Sequence, residues 1–301
     1  MRLFWNDAWR FTEHFSEDMI DPNYDDAHFS NIRVPHTVVE TPFNYFSENL
    51  YQMVSCYRRR FFAPVEWQGK AVLLTFEGVA HEASVYVNGH ACVHHKGGYT
   101  AFTADVSSYM KYGEENIVTV KVDSRESLNI PPFGYVVDYM TYGGIYRDVY
   151  VDVKPKTHLK DVFVYSEDVL KASRKMIVQT TLSEAIDTQK LKLTYCLRDA
   201  QGRQVLTAEK TLENVASNAV INAVDVHEIP LPDVQLWDVD SPYLYTLEVS
   251  LVDGDVQDTQ RIRMGFREAI FDKEGFKLNG KPLKLRGLNR HQSYPYVGYA
   301  M

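Results

Sequence analysis

Apolar and polar positions alternate along this chain with a period of two, and no stretch sustains the 3.6-residue period of a helix. Ala71-Val72-Leu73-Leu74-Thr75-Phe76, Ala83-Ser84-Val85-Tyr86-Val87 and the runs 117–122 and 148–153 are rich in β-branched and aromatic residues, bounded by Gly, Asn or Asp. Such runs predict strands. Asn88-Gly89, directly after one of them, predicts a hairpin turn, because both residues tolerate positive φ. The stretch 107–110 is the best short helical turn in this half. Residues 1–154 therefore predict an antiparallel sandwich of jelly-roll type.

Lys154-Pro155-Lys156 marks a boundary. Beyond it the runs 161–165, 175–180, 191–195 and 244–249 recur between polar turns, and residues 155–265 predict an immunoglobulin-like sandwich acting as a scaffold. No cysteine pair suggests an antibody-type disulfide. A third piece, 266–301, begins with a short strand at 276–278 and a tight turn at Asn279-Gly280. The run 283–285 then leads into Arg286-Gly287-Leu288-Asn289-Arg290-His291. A strand that ends in Arg, Asn and His presents polar groups at its carboxyl end, where barrel and α/β folds bind ligands. Only ten residues follow His291, so the expectation is the front part of a larger, in this portion all-β, protein.

Composition narrows the class. A length of 301 residues suits two domains, or three small ones, and a hydrophobic content of 45% lets each bury a core. Twenty Tyr and 15 Phe are many, and most are expected in cores and at sheet edges. A net charge of −8 without Lys/Arg clusters argues against nucleic acid and anionic membranes as partners. The only basic run, Arg58-Arg59-Arg60, falls on a predicted strand and reads as a solvated edge. Cys56, Cys92 and Cys196 lack metal-ligand spacing and cannot all pair, so they read as reduced thiols. The first residues lack the apolar core of a signal peptide, and no stretch approaches a membrane helix. A cytoplasmic location follows. No His/Cys/Asp cluster has metal-ligand spacing.

Three segments together resemble glycoside hydrolase family 2, the β-galactosidase, β-glucuronidase and β-mannosidase family. Phe76-Glu77-Gly78-Val79 through Val85-Tyr86-Val87-Asn88-Gly89 to Gly98-Tyr99-Thr100-Ala101-Phe102 looks like the family's sugar-binding sandwich. Gly143-Gly144-Ile145-Tyr146-Arg147-Asp148-Val149 looks like the close of that domain. Gly265-Phe266-Arg267, then Leu278-Asn279-Gly280-Lys281-Pro282 and Arg286 to His291, looks like the entry into the family's (β/α)₈ barrel. The wording 286–292, with Pro295 and Gly298 after it, is most similar to the β-galactosidases, and Asn44-Tyr45-Phe46 and Ser55-Cys56-Tyr57-Arg58-Arg59 also resemble that side.

Retaining hydrolysis needs two carboxylates about 5 Å apart, one a nucleophile and one an acid/base. The resemblance implies two Glu from later barrel strands, beyond Met301; Glu268 and Glu274 precede the first barrel strand and match neither motif. The chain alone is thus expected to be inactive and to supply sugar-binding groups. The resemblance implies that Asp138 hydrogen-bonds the sugar, chemistry suited to a carboxylate that accepts from two hydroxyls. It implies that His291 contacts the sugar and stabilises the transition state. It implies one loop asparagine, Asn49 or Asn44, with Asn49 preferred because Glu48-Asn49 precedes Cys56-Tyr57. Arg286 is expected in a buried ion pair inside the barrel. Of the tryptophans, Trp237 is expected to pack, while Trp5 and Trp9 are undecided between core and sugar stacking. Gly143-Gly144 are assigned positive φ in a turn and no chemistry. Mg²⁺ or Na⁺ is implied only for a full-length enzyme, as is homo-oligomerisation through the sandwiches. A β-galactoside or related sugar is the expected partner. The alternatives are another family 2 activity, β-glucuronidase or β-mannosidase, and a non-catalytic carbohydrate-binding protein of two sandwiches.

Overall fold

The computed structural model describes residues 1–42, 44, 47–131, 133–134, 139–183, 191–212, 224–253 and 256–300. The chain divides into two compact units, Met1–Lys154 with Asn289–Met301, and Pro155–Leu288. Among the described residues every ladder between named strands is antiparallel.

The first unit contains β1 (Arg2–Phe4), β2 (Trp9–Thr12), β3 (Ser30–Ile32), β4 (Val54–Phe62), β5 (Ala71–Phe76), β6 (Val79–Ala80), β7 (Glu82–Val87), β8 (His90–Lys96), β9 (Phe102–Asp105), β10 (Glu115–Asp123), β11 (Gly144–Ile145) and β12 (Val149–Lys154). They form a sheet of order β1-β12-β5-β9, a larger one of order β3-β2-β4-β10-β7-β8, and the short pair β11-β6. Strand periodicity does the packing. Val149, Val151 and Val153 of β12 point inward and meet Val118, Val120 and Val122 of β10 in one core, with Trp9, Tyr57, Leu74 and Phe76. Trp5, Trp9 and Trp67 all belong to this core, which removes them as sugar platforms. Asn88 and Gly89 turn β7 into β8 with φ of 50° and 85°, the paired left-handed geometry of a type I′ hairpin. The expected helical turn is a 3₁₀ turn over Ser107–Tyr109.

The basic run departs from its expected solvated edge. β4 is the third of six strands, so Arg58 is fully buried. Its Nε donates to Asp26 Oδ2 at 2.9 Å, and its guanidinium also donates to the carbonyls of Met19 and Asp21. Asp26, 4% exposed, accepts a second bond from Arg10 at 2.7 Å. Arg59 stacks on Trp5 with its guanidinium carbon 4.4 Å from the ring centre, and only Arg60 is exposed.

The second unit contains β13 (Leu159–Glu167), β14 (Lys175–Leu182), β15 (Leu191–Arg198), β16 (Gln204–Leu212), β17 (Val224–Pro230), β18 (Tyr245–Asp253), β19 (Val256–Met264), β20 (Ala269–Asp272), β21 (Gly275–Leu278) and β22 (Lys281–Pro282). Sheets of order β13-β14-β17 and β16-β15-β18-β19 close over Leu191, Leu193, Tyr195, Leu197, Leu247 and Val249. Trp237 is half-buried here; its amide donates to Phe266 O at 2.8 Å and Arg267 lies over its ring.

The third sheet, β20-β21-β22, carries the predicted turn at Asn279-Gly280, with φ of 51° and 76°. The strand expected at 283–285 does not form, and 283–293 has no regular secondary structure. A barrel strand satisfies its backbone through neighbours on both sides; here the Leu283 amide bonds Phe276 O at 2.9 Å. Arg286, expected in a buried ion pair, is exposed. Residues 289–301 then join the first unit.

Candidate functional site

A cleft of the first unit is built where two glycines let the chain pass through a gap too narrow for a side chain. A Cβ on Gly143 would stand 2.4 Å from Ser124 Cβ, and one on Gly144 would stand 2.6 Å from His36 O and 2.8 Å from Tyr57 Oη. Gly144 has φ +116°, whereas Gly143 is required by close approach and not by positive φ, a correction to the turn reading. The passage is held by His36 N–H to Ile145 O at 2.7 Å and Val38 N–H to Gly143 O at 3.0 Å.

This passage delivers Tyr146 and Arg147. Tyr146 is 4% exposed, and its hydroxyl donates to Gly98 O at 2.5 Å. Gly98 in turn lies against His81: a Cβ there would be 3.1 Å from His81 Nδ1. Gly97 N–H donates to His81 O at 3.0 Å. The Gly97-Gly98 corner is thus clamped between Tyr146 and His81, and it projects Tyr99 into the cleft. The Arg147 guanidinium carbon lies 5.6 Å from the centre of the Tyr146 ring.

The tail supplies the opposite wall. Tyr299 packs edge-on against Tyr142 and Tyr146, with centroids 4.9 and 4.5 Å away, and its hydroxyl donates to Tyr142 O at 2.5 Å. Tyr296 N–H bonds Thr41 O at 2.7 Å. His291 stacks on Tyr139 with centroids 4.3 Å apart and planes 18° from parallel. The cleft encloses about 280 Å³, lined by Tyr99, Tyr139, Met140, Tyr142, Tyr146, Arg147, Arg290, His291, Gln292, Ser293 and Tyr299. That is near the lower end of small-ligand pockets, roughly 300–1,000 Å³.

Its electrostatics suit neutral hydroxyl chemistry. Burial raises the pKa of Tyr299 far above the ordinary phenol value. Burial, a contact with Tyr139 and the nearby Glu126 carboxylate raise that of Tyr99. Burial raises Tyr146 too, opposed by Arg147. All three stay protonated, able to donate and accept. Glu126 accepts from Thr141 Oγ1 at 2.9 Å. Beneath the corner, His81 is 1% exposed, neither ring nitrogen is hydrogen-bonded among the described residues, and burial lowers its pKa. Among the described residues no carboxylate lines the cleft, and none of them form a metal-holding group of His, Cys, Asp or Glu. Among them, too, no helix is long and apolar enough to cross a membrane. The cleft offers neutral hydroxyl donors and acceptors beside aromatic faces.

Of the residues expected here, His291 lines the cleft. Asp138 lies outside the described residues, although Tyr139 beside it is part of the wall. Asn49 sits exposed in the 3₁₀ turn Glu48–Tyr51, and Asn44 is exposed at a turn; neither lines the cleft. Sequence reasoning missed Tyr99, Tyr139, Tyr146, Arg147 and Tyr299 as site residues. Tyr99, Tyr146 and Arg147 lie inside the quoted motif segments, which was the available signal; Tyr299 had none.

Comparison with known proteins agrees with this architecture. Residues 8–155 match the sugar binding domain of glycosyl hydrolases family 2, and 157–267 match a second domain model of glycosyl hydrolases family 2. The chain is 38% identical to a β-galactosidase of Thermoanaerobacterium thermosulfurigenes, over 98% of this chain and 41% of that protein. It is 31% identical to a β-glucuronidase of Bacteroides fragilis, over 81% of this chain and 36% of that protein. The crystal structure of a Bacteroides uniformis β-glucuronidase superposes with a TM-score of 0.88 at 27% identity, covering all of this chain and 36% of that one. The chain thus spans about two fifths of the length of the curated relatives it matches. Two family models in tandem, over the same sandwiches that carry the Gly143-Gly144 passage and its cleft, make this chain a member of glycosyl hydrolase family 2.

Proposed function

We propose that this chain is the N-terminal portion of a retaining β-galactosidase. In this reading 1–154 is the sugar-binding sandwich, 155–265 an immunoglobulin-like scaffold, and 266–301 the opening of a (β/α)₈ catalytic barrel. The observation that carries it is the cleft itself. Residues 139–147 and 290–293, far apart in sequence, converge on one small pocket rich in phenols and imidazole. Aromatic faces suit the C–H face of a sugar, and neutral phenols and His291 suit its hydroxyls. Asp138, and Asn49 or Asn44, are proposed to complete the hydrogen-bonding set. The galactoside preference is supported by identities of 38% and 36% to two β-galactosidases against 31% to the Bacteroides fragilis β-glucuronidase.

Chemistry in such an enzyme requires two carboxylates about 5–5.5 Å apart across the glycosidic bond. The role of this chain is to hold the sugar ring so that those carboxylates meet it, which converts binding energy into orientation. The parent enzyme is proposed to be a cytoplasmic homo-oligomer. A second reading, β-glucuronidase, is favoured by Arg147 and Arg290 in the cleft wall, since guanidinium groups suit a sugar carboxylate.

Titration of the isotopically labelled chain with methyl β-galactoside and methyl β-glucuronide separates the readings. The expected result is perturbation of His291, Tyr99 and Tyr146 by the galactoside, lost in His291→Ala. Selective response to the glucuronide supports the second reading, and response to neither sugar refutes both. Turnover of a nitrophenyl β-galactoside by the chain alone refutes the placement of the carboxylates outside it.

A further inference from the structure

His291 is held in an unusual way. The segment 283–293 that carries it has no regular secondary structure, so no ladder fixes its backbone. Among the described residues no hydrogen bond or ion pair reaches its ring. What fixes the imidazole plane is the Tyr139 ring, parallel within 18° at 4.3 Å. Tyr139 is itself part of a packed aromatic wall: it touches Tyr99, whose backbone is clamped at Gly98 by the Tyr146 hydroxyl. The Tyr299 side chain, facing the same group, is locked to Tyr142 O.

A stacked imidazole has one face covered and makes its hydrogen bonds in the ring plane, through its two nitrogens. The stack therefore decides the direction in which those nitrogens point. We infer that Tyr139 is a positioning residue, whose ring sets the plane in which His291 presents its nitrogens to a sugar hydroxyl in the cleft. This rests on the sugar-site reading above and adds a specificity element to it. A ring turned out of this plane would still lie in the cleft but would meet a hydroxyl of different position or configuration. The role requires the face of the Tyr139 ring, while the contact of its side chain with Tyr99 helps hold that ring in the wall.

The test compares Tyr139→Phe with Tyr139→Leu and Tyr139→Met in the full chain, with intact backbone amide spectra as the check on folding. The first readout is the His291 Cε1–H resonance, assigned by its loss in His291→Asn. The wild-type proton is expected to be shifted by the Tyr139 ring current, to keep that shift in Tyr139→Phe, and to lose it in the Leu and Met variants. The second readout is the dissociation constant for methyl β-galactoside. It is expected to rise roughly two- to tenfold when the ring is removed, the range of an aromatic pair, and to stay within about twofold in Tyr139→Phe. An unmoved His291 resonance in folded Tyr139→Leu or Tyr139→Met overturns the inference, as does a moved resonance with unchanged galactoside affinity. If the wild-type chain binds neither sugar while the resonance still responds to Tyr139, the sugar-site reading has failed and the stack is packing only.

Discussion

Gly144→Ala isolates the backbone passage on which the cleft depends. Gly144 has φ +116°, a region L-residues rarely enter, and the new methyl carbon would stand 2.6 Å from His36 O and 2.8 Å from Tyr57 Oη. Backbone strain of this kind costs about 1–3 kcal/mol. Forced overpacking against a buried carbonyl and a fully buried tyrosine costs about 1–3 kcal/mol more. The expected loss is about 4 kcal/mol, or about 8–16 °C in Tm for a unit of this size. Gly69→Ala is the internal control. It lies in the same unit at φ +78° with no heavy atom within 4 Å of the added carbon, so only strain of about 1 kcal/mol applies. Urea unfolding followed by tryptophan fluorescence in a Trp237→Phe background reads the first unit alone, through Trp5, Trp9 and Trp67. Because β11 also delivers Tyr146 and Arg147, Gly144→Ala is expected to weaken sugar binding in the population that remains folded. Equal losses for the two alanine variants would refute the reasoning, since contact and not φ alone is what separates them.

His36 provides a pH dependence. Burial lowers its pKa to about 4, and its Nδ1 lies 2.9 Å from the Tyr57 hydroxyl, which itself accepts from the Ile145 amide. The unfolded state binds the proton first, so stability is full above about pH 6.5 and falls by about 3 kcal/mol as the pH drops to about 4; His36→Gln should flatten that slope in urea midpoints measured across the window. Arg58→Ala strips the main partner from buried Asp26 and is expected to cost about 3–5 kcal/mol, with Arg58→Met costing less because it refills the volume; a loss under about 1 kcal/mol in chemical denaturation would show that Arg10 and Arg60 suffice. His81→Leu removes two unsatisfied buried nitrogens and is expected to leave stability unchanged or raised by about 1–2 kcal/mol; a clear loss in Tm would mean that the ring has a partner.

How much of this was legible depends on what each residue's neighbours are. Strands buried on one face announced themselves by alternation, as Val149, Val151 and Val153 do on β12. β8 did not, because His90-Ala91-Cys92-Val93-His94-His95-Lys96 is an edge strand with polar residues on both faces. The Arg58 reading failed for a related reason. Period two says which residues share a face, but not whether another layer of chain covers that face, and 3₁₀ residues around Met19 cover this one. The two Asn-Gly turns were read correctly because their geometry is local.

The cleft sits at the opposite extreme. Its residues come in ordinary local contexts, and what makes them a site is contact between Tyr142 and Tyr299, separated by 157 positions. No local pattern encodes such a meeting. The tail illustrates the consequence. The run 283–285 was expected to be a strand leading into Arg286 to His291; as folded, 283–293 has no regular secondary structure, and the tail meets the aromatic wall through His291 on Tyr139 and Tyr299 on Tyr146. His291 thus meets the first unit through its stack on Tyr139. On the proposed positioning role, Tyr139→Leu is expected to change the ratio of the galactoside and glucuronide dissociation constants, by less than His291→Ala does, because it turns the imidazole without removing it.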